Sequence, residues 1–100
     1  MSRPDVQLIL SPQAEDDFAD ILQYTLETRG EAQVHVYGAI LDKALSTIQQ
    51  YPQIGHKLHD ISDIHRVFPA AHHLIIYRVG DHTVSVSRIL HERMEIVRHI

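Results

Sequence analysis

One hundred residues suffice for one hydrophobic core and not for two, so a single domain spanning 1–100 is expected. With 44% hydrophobic and 22% charged residues the chain has the balance of a globular domain, which excludes disordered and fibrous classes. The absence of cysteine removes disulfides, thiolate catalysis and cysteine-bound metals, and a formal charge of −4 argues against salt-driven nucleic-acid binding.

From the N-terminus, a short extended run from Val6 to Leu10 leads to Ser11 and Pro12, a hydroxyl residue at an N-cap position with proline at the first helical position. Glu15, Asp16 and Asp17 fall in the first turn, where carboxylates favour the positive end of the helix dipole. Ala14, Phe18, Ile21, Leu22, Thr25 and Leu26 recur at spacings of three and four, so one apolar stripe should run to about Gly30. A second helix should begin near Glu31, bury Val34, Tyr37, Leu41, Ala44, Leu45 and Ile48, and stop before Pro52. So short a joint implies an antiparallel helical hairpin.

Residues 52–64 hold Pro52 and Gly55 without any sustained period and read as a loop. His65 to Phe68 reads as a strand broken by Pro69, and residues 73–79 and 83–90 read as two more joined by a turn at Gly80, Asp81 and His82. This order implies an α+β domain: an N-terminal strand, an antiparallel two-helix hairpin, then a three-stranded antiparallel meander. The helices should pack on one face of a mostly antiparallel sheet and leave the other face free for a partner. Val84 and Val86 should point to the helices. Continued alternation would then turn Arg88 inward and Ile89 outward, so either a bulge near Ser87 shifts the phase or Arg88 lies at the sheet rim; the pattern leaves both open.

Charge is unevenly distributed. Residues 1–64 carry four Lys/Arg against ten Asp/Glu, whereas residues 65–100 carry five against three and hold six of the nine histidines. Arg66, Arg78, Arg88, Arg93 and His91 lie on adjacent strands and the tail, where guanidinium forks suit carboxylates or phosphates. The competing reading pairs each arginine with a helix acid. Histidine spacing does not suggest a metal site: the run from His91 to Glu95 ends in Glu where the HExxH motif needs a second His. No serine sits in a nucleophile elbow and no Gly-rich phosphate loop is present, so no catalytic residue, metal or cofactor is assigned. No apolar stretch approaches the roughly 18–20 residues that cross a bilayer, and the first five residues lack the apolar segment of a secretory signal, so a cytoplasmic protein without a membrane partner is expected.

Four stretches carry a family resemblance: Leu10 to Phe18, Tyr51 to Gly55, His73 to Val79, and Val86 to Met94. In order and spacing the chain resembles the ParE branch of the ParE/RelE superfamily of type II toxin–antitoxin systems over nearly its whole length. The resemblance implies a toxin that binds and inhibits DNA gyrase without being an enzyme. It also implies neutralisation by a ParD-like antitoxin, of ribbon-helix-helix type, in a hetero-oligomer. No direct nucleic-acid contact is expected. Target contact is assigned to Arg78, Arg88, His91, Arg93 and Met94, and antitoxin contact to the apolar Ile96 and Val97. The alternative is a RelE-like ribosome-dependent mRNA endonuclease built on Arg66, Arg88 and His91; two lysines, no tyrosine after Tyr77 and the net negative charge equip the chain poorly for it.

Overall fold

The computed structural model describes residues 6–100; residues 1–5, on which the signal-segment reading rests, lie outside them. Strand β1 (Gln7–Leu10) enters helix α1 (Pro12–Arg29) through Ser11, whose Oγ accepts the Ala14 N–H at 3.0 Å. Gly30, at φ 91°, closes α1 by donating its N–H to Leu26 O and opens helix α2 (Glu31–Gln50), so the hairpin joint is one residue in a left-handed conformation that favours glycine. The expected apolar stripes meet at this hairpin: Ala14, Ile21 and Thr25 of α1 and Leu41, Ala44, Leu45 and Ile48 of α2 are buried, while Leu26 is exposed.

Among the described residues the sheet has five strands, one more than expected, because the loop after α2 contributes the two-residue β2 (His56–Lys57). Then come β3 (Arg66–Ala70), β4 (His73–Gly80) and β5 (Thr83–His91), in the order β1-β5-β4-β3-β2. β1 pairs in parallel with β5 and every other pairing is antiparallel, so the sheet is mixed. Pro69 does not break β3: β2 reaches only Arg66 and Val67, so at Pro69 the strand has an open edge where a missing N–H leaves no ladder bond unmade. The tight turn between β3 and β4 places Ala71 at φ 54°.

A bulge decides the phase of β5. Ile76 pairs with Arg88 but Tyr77 pairs with Val86, leaving Ser87 without an opposite number. Val84 and Val86 face the helices as expected, Ile89 returns to the core beside Ile75, and Arg88 turns to the opposite face. That outer face is not bare. Ile76 and Leu90 alternate away from the helices, yet their exposures are 0% and 1%. His99 and Ile100 line the same cavity as Arg78 and Ser87, so the chain after β5, with its 3₁₀ turn Ile96–Arg98, returns along this face. Arg78 stays exposed.

Buried Tyr77 fastens the helices' exit to the sheet. Its hydroxyl accepts the Gly55 N–H at 2.8 Å and donates to Pro52 O at 2.9 Å, and burial pushes its pKa up. A Cβ at Gly55 would lie 2.5 Å from that oxygen, which is why the Pro52-to-Gly55 segment needs glycine at its end.

Candidate functional site

Past Leu10, strand β5 has no neighbouring strand on one side among the described residues, and α1 covers the gap. Ser11 Oγ donates to Ser87 O at 2.7 Å, and Asp17 Oδ2 accepts the Ile89 N–H at 2.9 Å. The Arg88 guanidinium adds a bidentate contact, Nε to Asp17 Oδ2 at 2.8 Å and Nη2 to Asp17 Oδ1 at 2.9 Å, between side chains 24% and 15% exposed. This bond holds the Arg88 pKa above its ordinary value. One carboxylate thus satisfies three donors along an otherwise unpaired strand edge. By sequence Asp17 is a first-turn carboxylate that favours the helix dipole. Nothing in its spacing separates it from Glu15 and Asp16, because its partners lie 71 and 72 positions away.

Among the expected target residues, Arg78, Arg93 and Met94 are exposed, and within the described residues no hydrogen bond or ion pair engages either guanidinium. His91 belongs to the other side: it pairs with His73 on the helix-facing surface, their rings edge-on at 5.2 Å. Its Nδ1 accepts the Arg93 N–H at 3.2 Å and its carbonyl accepts the Met94 N–H at 2.9 Å, so His91 shapes the turn that presents Arg93 and Met94. Of the two residues assigned to the antitoxin, Val97 is 59% exposed and Ile96 is half-buried. Arg66 is occupied with structure. Nη1 donates to Gln53 O and Gly55 O, and Nη2 to Gln53 Oε1 at 2.6 Å, which ties the β2 loop to β3. Arg66, Arg88 and His91 therefore do not converge: the first and last sit on the helix side at opposite ends of the sheet register, and Arg88 points to the outer face.

A cluster that sequence reading missed surrounds His91. The Tyr37 oxygen accepts the His72 N–H at 3.2 Å, and its proton points to His73 Nδ1 at 2.5 Å, the arrangement that leaves neither group unsatisfied. Burial pushes Tyr37 up and His73 down, the latter helped by the charges of His91 and His72. His72 Nδ1 meets Glu92 Oε2 at 2.9 Å and draws that carboxyl below its usual range. With Asp20, Tyr24 and Arg29, the side chains of Tyr37, His72, His73 and His91 line a cavity of about 460 Å³ between the hairpin and the sheet end. Adjacent histidines separated from a helical tyrosine by 36 positions give no sequence signal of such a meeting. Among the described residues no three His, Asp or Glu side chains converge as metal ligands.

Residues 8–96 match the family described as ParE toxin of type II toxin–antitoxin system, parDE. The chain is 32% identical over 93 residues to Toxin ParE1 of Mycobacterium tuberculosis, covering 92% of this chain and 95% of that protein. It is 29% identical over 91 residues to Toxin ParE1 of Caulobacter vibrioides, covering 91% and 94%. In fold it is similar to a chain of the chromosomal ParDE system from P. aeruginosa, with a TM-score of 0.75 at 15% identity over 86% of this chain and 95% of that one. It is also similar to the YoeB dimer from Staphylococcus aureus, with a TM-score of 0.61 at 17% identity over 87% and 97%. A profile spanning the helical hairpin, the Tyr77 anchor and the Arg88 edge, joined to near full-length identity above 30%, places the chain in the ParE toxin family of type II toxin–antitoxin systems.

Proposed function

We propose that this toxin acts in the cytoplasm by binding and inhibiting DNA gyrase, without catalysis of its own, and that a ParD-like antitoxin of ribbon-helix-helix type silences it in a hetero-oligomer. The observation that carries the reading is the pair of exposed guanidiniums that make no hydrogen bond or ion pair among the described residues, Arg78 on the outer face and Arg93 on the turn after β5, in a chain that is acidic overall. Such groups add charge-assisted hydrogen bonds when a partner's carboxylates approach, and the neighbouring Met94 offers an adaptable apolar contact. Arg88 and His91 serve the same surface indirectly, the first by fixing the β5 edge on Asp17 and the second by shaping the turn. Val97, and Ile96 beneath it, are the apolar contacts for an antitoxin segment. The relation to a ParDE system supports the antitoxin assignment. Against the RelE-like endonuclease stands the engagement of Arg66 and Arg88 elsewhere.

The deciding experiment incubates purified toxin with purified gyrase and supercoiling substrate. Inhibited supercoiling with accumulated cleaved DNA is expected. An unaffected gyrase, together with A-site-dependent cuts in mRNA on translating ribosomes, would replace this reading by the endonuclease.

A further inference from the structure

A second cavity, of about 310 Å³, opens between the outer sheet face and the start of α1. Four separate segments bring basic or protonatable groups to it: His65 before β3, Arg78 on β4, Arg88 on β5 and His99 on the returning tail, with Gln13 from the first turn of α1. No aspartate or glutamate is among its described lining residues, in a chain where such residues outnumber lysine and arginine by 13 to 9. Asp17 offsets Arg88 through Nε and Nη2, but the Arg78 fork has no partner among the described residues. His65 is held through Nδ1 by Ser62 Oγ at 2.7 Å, which leaves Nε2 as its other polar atom. Burial first, and then the charge of Arg78, push His65 below its ordinary pKa.

We propose that this cavity binds a phosphoryl oxyanion, either free inorganic phosphate or the phosphate of a small monoester. A tetrahedral dianion suits the site better than a carboxylate. Its tetrahedrally disposed oxygens match a guanidinium fork plus two imidazole nitrogens, where a planar carboxylate would reach fewer of the four segments. The volume holds a phosphate with a modest substituent, in the range of small-molecule sites. A polyanion is disfavoured by the net charge of −4. Nothing in this inference depends on gyrase, and binding is read on the isolated protein, so either reading can fail alone.

The test is titration of the full-length ¹⁵N-labelled chain with inorganic phosphate at about pH 6.5, where imidazoles carry partial charge, with ionic strength held constant by chloride. Saturable shifts confined to the neighbourhoods of His65, Arg78, Arg88 and His99 are expected. Arg78→Gln should weaken binding about tenfold or more by removing the charge-assisted fork, with the remaining spectrum unchanged because Arg78 is exposed. His99→Gln should also weaken it, since His99 lines the same cavity from the returning tail. A parallel titration with adenosine monophosphate identifies the source: tighter binding than phosphate selects a monoester, equal binding selects the free ion. Non-saturating or dispersed shifts, binding unchanged in Arg78→Gln, or a single-stranded oligonucleotide binding more tightly than the mononucleotide would each overturn the proposal.

Discussion

Asp17 accepts hydrogen bonds from Arg88 Nε, Arg88 Nη2 and the Ile89 N–H, at a partly buried site. Removing the carboxylate leaves a half-buried guanidinium and a strand-edge N–H unpaired, so Asp17→Ala should cost about 2–4 kcal/mol, read as a lowered urea midpoint with unchanged slope. Replacing Arg88 by Gln keeps part of the contact and should cost less. His73 gives a pH signature at the same scale. Burial, then the neighbouring His91 and His72, holds its pKa below 6.5 in the folded protein, so the unfolded chain takes up the proton more readily. Its contribution to stability is therefore complete above pH 6.5 and is lost as pH falls through the folded value. The thermal midpoint should fall across that window, and His73→Gln should flatten the acid limb.

At the scale of elements, Ser11 has two duties. Its Oγ caps α1 through the Ala14 N–H and also donates to the bulged Ser87 carbonyl, joining helix start to strand edge. Ser11→Ala removes both bonds and should cost about 1.5–3 kcal/mol, above the roughly 1 kcal/mol typical of a cap alone, measured by chemical denaturation. Gly55 marks the other junction. A Cβ there would meet the Tyr77 hydroxyl at 2.5 Å, the Tyr77 ring at 2.8 Å and Val67 O at 2.9 Å, and all three belong to groups that cannot move without breaking the core or the β3 ladder. The helices and their ends were legible because caps, a prolyl N1 and a period of 3.6 are local signals. The two-residue β2 was not, since His56 and Lys57 are both exposed and carry no alternation; they become a strand only because Arg66 and Val67 lie opposite.

Across the whole molecule, charge separates the hairpin from the surface formed by the outer face and tail. Arg78→Glu with Arg93→Glu should leave the fold intact, since both side chains are exposed, and should reduce gyrase inhibition by about tenfold or more through lost charge-assisted contacts. Growth arrest on expression without antitoxin is the matching cellular readout. If the folded double mutant still inhibits gyrase, the docking surface lies elsewhere, the helical hairpin being the remaining candidate. The expectation of an open sheet face for that partner is narrowed: Ile76 and Leu90 are already covered, and the accessible part is the region of Arg78 with the turn at Arg93 and Met94.

The amino-acid order by itself determined the two helices, the three long strands, the α+β class and the family, because each depends on neighbours within a few positions or on motifs spread evenly along the chain. Tertiary structure alone decided the direction of Arg88, the employment of Asp17, and the gathering of Tyr37, His73 and His91. A single unpaired residue, Ser87, inverts every side chain after it, and whether a strand accommodates that residue depends on the packing of β4 beside it and α1 across its edge. Those constraints come from residues up to 76 positions away, beyond the reach of any local pattern.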